Sequence, residues 1–297
     1  MSKVHISIPE LDERDLSYND FFRIIHVFLQ HKMHYIKALH PSNSIDDINA
    51  YPLLIVEKII KLSSTLYSVI NTNKDYVASN IIMRSLADYI STLFFIYKEP
   101  DCNIKLLRHY IFIIDGLKGR IKQLPKNLNY DGRIKIEEFN ALKKQINTSL
   151  DSYKGACQFS EQQIKLLPIY QTNSTDIDYL IETSNWKFKT ISRAKNNRFN
   201  WNELYDYLNL PIDSDFFSLL SKFVHGLSTS NLMYNGDVED MYPILSISSS
   251  LLNKVSEFID EFYKEDMSKI KDKMISAIVD DDVPRHYVER IFKSATK

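Results

Sequence analysis

The sequence predicts an all-α protein, a multi-helix bundle with a looser helical and loop insertion in its middle. Three observations carry that prediction. Apolar residues recur at three- and four-residue steps along most of the chain, the period of a helix with one buried face. Proline, serine and aspartate punctuate those stripes where helices start and stop. Only 6 of the 297 residues are glycine, well below the usual ~7%, which disfavours turn-rich β architectures and folds that wrap backbone around phosphate.

The elements follow in order. After alternating Val4, Ile6 and Ile8, a stripe of Tyr18, Phe21, Phe22, Ile25, Phe28, Leu29, Met33 and Ile36 predicts the first helix, ended by Pro41. Pro52 suits the first turn of a second helix that carries Leu53, Val56, Ile59, Ile60, Leu66 and Ile70. Residues 75–97 are apolar nearly all round, the pattern of a helix at the centre of a bundle. Lys98, Glu99 and Pro100 stop it, and a fourth helix presents Leu107, Tyr110, Ile111, Ile114, Leu117 and Ile121. Residues 124–132 read as a loop and 136–153 as a charged amphipathic helix. Ser160 with Gln163 reads as a capping box opening another helix. A polar connector over 168–176 precedes a short helix near 177–183. Helices are predicted at 215–225, ended by Gly226, around 251–263, and after Pro284. The whole, 1–297, reads as one helical domain with a peripheral insertion at about 124–211.

Composition narrows function. With 37 Lys and Arg against 38 Asp and Glu, the net charge is −1, so a polyanion site must be a local patch. There is no GxGxxG or GxxxxGK[ST] stretch, which disfavours dinucleotide and phosphate-loop classes. Cys102 and Cys157 are far apart and form no CxxC pair, so neither a zinc module nor a disulfide scaffold is implied. His31 and His34 lie one turn apart, but no HExxH or comparable set accompanies them, and no metal or other cofactor is expected. The opening MSKVHISIPELDERD lacks a signal-peptide core, and no apolar run is long enough to span a bilayer. A cytoplasmic location without membrane association is expected.

Two constellations bear chemistry. On the third helix Asn80, Arg84 and Asp88 fall four residues apart and share a face. Burial there requires pairing, so Arg84 and Asp88 either fix how central helices dock or form an internal polar site. In "FFSLLSKFVHG", Phe217, Leu220 and Val224 mark a buried stripe, with Ser221 and His225 beside it. His225 is therefore expected to be largely buried and hydrogen-bonded, with Gly226 closing the helix in a left-handed turn. The second constellation is "NWKFKTISRAKNNRFNW". Lys187, Lys189, Arg193, Lys195 and Arg198 alternate with Trp186, Phe188 and Trp201 and no acidic residue. Such a segment suits single-stranded RNA or DNA, the cations meeting phosphates and the rings stacking on bases. It equally suits a basic connector anchored by its tryptophans.

The blocks "IIMRSLADYISTLFFIYKEP", "RHYIFIIDG" and "FFSLLSKFVHG" resemble a bacterial helical family of unknown function related to the HEPN (higher eukaryote and prokaryote nucleotide-binding) group. That group includes RNA-cleaving toxins and antiviral effectors. The resemblance covers about residues 53–117 and 216–230. It implies that Arg84, Asp88 and His225, with Arg108, Tyr110 and Ser221, meet in space. HEPN ribonucleases carry Arg and, four to six residues on, His in one helix; no arginine here has histidine at that distance. Metal-independent RNA cleavage would require Arg84 to stabilise phosphoryl charge and His225, from another helix, to move the proton. Two functions thus remain open at the sequence level. One is a HEPN-like defence or toxin protein acting on RNA or nucleotides. The other is a non-catalytic helical module for a protein partner or small signal, its cluster structural. A homodimer is compatible with either.

Overall fold

The computed structural model describes residues 17–125, 128–210, 214–225, 236–237 and 239–280. Among these there are ten α-helices and no strand. Two compact units emerge. The first is made of the chain up to Lys98 and again from Trp201 onward; the second is Glu99–Asn200. The sequence placed the start of an insertion near residue 124. The second unit starts earlier because the fourth helix shares its core rather than that of the first.

The first unit contains α1 (Tyr18–Leu39), α2 (Tyr51–Ser68), α3 (Tyr76–Tyr97), α7 (Trp201–Asp206), α8 (Ser214–Val224), α9 (Tyr242–Phe262) and α10 (Lys264–Asp280). Ser17 caps α1 by accepting a hydrogen bond from the Asp20 amide, 3.2 Å. The last turn of α2 widens into a π-turn, Val69–Asn73, closed by Lys74 at φ 53°. Asp75 then caps α3, accepting from the Ala78 amide at 2.9 Å. α3 packs against α2, α7, α8 and α9, and is buried over most of its circumference. This explains its nearly unbroken apolar sequence. α1 packs on α2, α9 and α10. Phe22, Leu29 and Ile36 of α1, Val56 and Ile59 of α2, Leu86 and Ile90 of α3, and Val255 and Ile259 of α9 are buried core residues.

Polar groups are set into this core with partners. Lys32, 1% exposed, donates to Asp260 at 2.6 Å and to the Ser256 hydroxyl at 2.7 Å, joining α1 to α9. Burial lowers its pKa, and the Asp260 carboxylate opposes that shift. His26 of α1 lies between Ser63 (2.9 Å) and Ser64 (3.1 Å) of α2. His40 reaches Asp266 at 2.8 Å. Gly236 approaches the Tyr76 ring so closely that a Cβ would lie 2.5 Å from Cγ. A side chain at that position would have to displace the ring.

The second unit contains α4 (Cys102–Gln123), α5 (Ile136–Leu166) and α6 (Pro168–Glu182). Asp101 caps α4 through the amides of Asn103 and Ile104. The capping box expected at Ser160 does not form. α5 is one helix of 31 residues, and Ser160 is buried within it, donating to the Ala156 carbonyl at 2.9 Å. A serine inside a helix satisfies its hydroxyl on the preceding turn, so the box pattern has no free helix end to cap. The polar 168–176 stretch is likewise helical, being the first part of α6, with a kink at Asn173. Lys118 donates to the Ile181 carbonyl at 2.8 Å, satisfying a last-turn acceptor of α6. The final helix after Pro284 lies outside the described residues.

Candidate functional site

The site is built on α3. Arg84 and Asp88 are one helical turn apart, as their spacing requires, and they form an ion pair through Nη1 and Oδ1. α8 supplies Ser221, whose hydroxyl accepts from Arg84 Nε at 2.9 Å. α7 supplies Tyr205, whose hydroxyl donates to Asp88 Oδ1 at 2.7 Å. The rings of Tyr205 and Trp201 lie 5.0 and 5.6 Å from the guanidinium carbon. Three helices are therefore tied together by one buried cation, one carboxylate, two hydroxyls and two aromatic faces. A bond between Ser218 and Asn202, 2.7 Å, adds a polar tie between α7 and α8.

The electrostatics follow from this enclosure. Burial pulls the Arg84 pKa down, yet a guanidinium remains charged in any protein environment. Burial also pushes the Tyr205 hydroxyl well above its ordinary range, with Arg84 opposing the shift. Tyr205 thus remains a neutral donor. Ser221 is no activated nucleophile: it accepts from Arg84 and has the Phe217 carbonyl, 3.4 Å away, as its acceptor.

His225 departs from expectation. It is exposed, at the end of α8, and its imidazole makes no hydrogen bond to a described residue. Only its backbone amide is engaged, with the Ser221 carbonyl at 3.2 Å. The reason lies in how α8 is rotated. Its buried face runs through Phe217, Leu220 and Phe223, not Val224, which is 47% exposed. Phe223 meets the edge of Tyr76, 5.8 Å away, and this turns the last residues of the helix toward solvent. Gly226 lies outside the described residues. Asn80 is also on the Arg84 face, but its amide donates to the Tyr76 carbonyl of its own helix, at 2.8 Å.

Arg108 and Tyr110 are buried in the second unit. Arg108 pairs with Glu99 at 2.7 Å and lies over the Phe188 ring. Tyr110 stands at an angle to His109, with ring centroids 5.1 Å apart. The basic segment is not an open ribbon. Trp186, Lys187 and Phe188 are buried, and Trp186 meets Phe112 edge-on at 5.2 Å. The Trp186 and Phe188 rings present no face to a base. Asn197 organises the loop, accepting from the amides of Lys189 and Thr190 and donating to the carbonyls of Thr190 and Ser192. Arg193 caps carbonyl Thr175 at 2.9 Å, while Lys189, Lys195 and Arg198 are exposed at the surface. Trp201 belongs to α7 and serves Arg84 instead.

Sequence reading missed Tyr205. The signal was present: Trp201 and Tyr205 are one turn apart, so two rings share a helical face. Their shared target, Arg84, is more than a hundred residues away in sequence. Among the described residues no group of three His, Cys, Asp or Glu side chains is arranged to hold a metal ion, and no helix is long and apolar enough to cross a membrane. Comparison with protein-family models, curated proteins and solved structures gives no significant match.

Proposed function

We propose that the first unit is a non-catalytic helical module in which the Arg84 cluster holds α7 and α8 on α3 and so shapes a surface for a protein partner or small signal. The observation that carries this reading is the commitment of the Arg84 guanidinium to Ser221, Asp88 and two aromatic rings. A guanidinium engaged on these groups must break existing bonds before it stabilises phosphoryl charge. Both cysteines are free, in keeping with action in the reducing cytoplasm.

A HEPN-like role on RNA is the second reading. It draws support from the convergence of two distant sequence blocks, which bring Arg84 against Ser221, with His225 directly after the last residue of α8. Incubation of the purified protein with labelled RNA separates the readings. The module predicts no cleavage. It further predicts that Arg84→Ala loses about 1–3 kcal/mol of stability by orphaning Asp88 and Ser221, while His225→Ala melts like wild type. Cleavage abolished in both variants, with folding intact, would establish the RNA reading and overturn the module.

A further inference from the structure

The loop that follows α6 gathers like charges. From Thr183 to Asn202 the chain holds five Lys and Arg residues and no Asp or Glu. The structure sorts the five. Lys187 is buried, its ammonium over the Trp186 ring. Arg193 is engaged by the Thr175 carbonyl at 2.9 Å and by Asp176 at 3.7 Å. Lys189, Lys195 and Arg198 are exposed. Among the described residues neither Lys195 nor Arg198 pairs with a carboxylate.

The backbone beneath these cations is pinned. The Asn197 side chain accepts from the Lys189 and Thr190 amides, and the Phe199 amide donates to the Lys187 carbonyl at 2.8 Å. Residues 197–199 therefore run alongside 187–189, which carries Arg198 to Lys189. The Asn197 amide closes a turn on the Ala194 carbonyl, 3.1 Å, and this keeps Lys195 within the same pinned stretch. Like charges held together on a fixed loop, with no carboxylate between them, cost stability that a bound anion offsets.

What the loop exposes selects the anion. Trp186 and Phe188 are buried, and Ile191 and Phe199 are half-buried, with Lys189 over the Phe199 ring at 5.1 Å. A protein partner needs an apolar centre to its interface, which this face lacks. A base needs an open ring to stack on. A phosphodiester backbone needs only cations and neutral donors. Exposed Asn196, between Lys195 and Arg198 in the chain, is such a donor.

We infer that this loop is a nucleic-acid backbone site, in which Lys195 and Arg198, with Lys189, contact phosphates of RNA or DNA and read no base. The site belongs to the second unit and does not use the Arg84 cluster. With a net charge of −1, the chain as a whole supplies no general attraction to a polyanion, so binding depends on this patch.

Fluorescence anisotropy of the full chain with labelled RNA and DNA duplexes, from about 10 to 100 mM salt, tests this. Two to three neutralised phosphates give a slope of log affinity against log salt of about −2 to −3, a fall of about 60- to 500-fold across that range. Duplexes of unrelated sequence should bind alike. A tighter arm, RNA or DNA, names the source and supports the proposal either way. Lys195→Ala with Arg198→Ala should weaken binding at least tenfold at the lowest salt and reduce the slope by about two. Both side chains are exposed, so helicity and melting should not change. A wild type that binds neither duplex at the lowest salt overturns the proposal, as does binding that the double variant leaves unchanged. Affinity that follows base sequence also overturns it. So does a polyglutamate peptide of equal charge that competes as well as the duplexes, which would mark an acidic protein as the partner.

Discussion

At Arg84 and at His26 the same problem, a polar group inside an apolar bundle, is solved in two ways. Arg84 keeps its charge and recruits a carboxylate, a hydroxyl and two rings. His26 gives up its charge: burial pulls its pKa from 6.5 to about 4. The neighbouring serines fit the neutral ring. A neutral ring donates from one nitrogen and accepts at the other: Ser63, which donates to the Ile60 carbonyl at 2.8 Å, can accept from Nδ1, and Ser64, 3.2 Å from the same carbonyl, can turn its proton to Nε2 instead. The unfolded chain takes up a proton at this residue below pH 6.5, whereas the folded chain resists until about pH 4. Between those values the unfolded state binds more protons, so His26 lowers stability as pH falls, by about 3 kcal/mol at most. Denaturant titrations of wild type and His26→Gln across this window should show a wild-type advantage at neutral pH that shrinks toward pH 4. A constant difference would mean that His26 titrates alike in both states.

Elements were legible wherever local pattern and tertiary burial agree. α1, α2 and α3 lie where their stripes predict, because each stripe has a packed neighbour to receive it. α5 and α6 differ because serine, asparagine and threonine favour caps and turns only when the helix has an alternative to continuing. Here the α4 surface holds α5 in one piece. Two glycines inside α4 pose a related question. Gly116 and Gly119 are helical, and a Cβ at either would meet nothing within 4 Å. Glycine inside a helix costs about 0.5–1 kcal/mol relative to alanine. Gly116→Ala and Gly119→Ala should therefore each raise stability by about that amount, read as a higher midpoint in chemical denaturation. A fall instead would mean that the positions are closely approached in solution.

On the scale of the whole chain, two cores are built from one sequence. The Glu99–Asn200 unit buries Leu107, Ile111 and Ile114 of α4, Ile164 of α5, Ile177 and Leu180 of α6, and Trp186 of the following loop. A core of that size is sufficient for independent folding. The fragment Glu99–Asn200, expressed alone, should be helical by circular dichroism and should melt cooperatively. A non-cooperative, broad melt would show that it needs the rest of the chain to fold.

By itself the sequence determined the all-α class, the span of most helices and the pairing of Arg84 with Asp88, because all three depend on spacing within about one helical turn. The tertiary structure decided the rest of the site. Whether His225 is buried depends on the rotation of α8, set by Phe223 against Tyr76. Whether Trp186 and Phe188 can stack on a base depends on a loop folded around Asn197. Tyr205 reaches Asp88 only because α7 packs on α3, across 117 positions of sequence. A 3.6-residue period tells which residues share a face, but the partner of that face is chosen by the competition of all helices for apolar contact, and no local pattern encodes it.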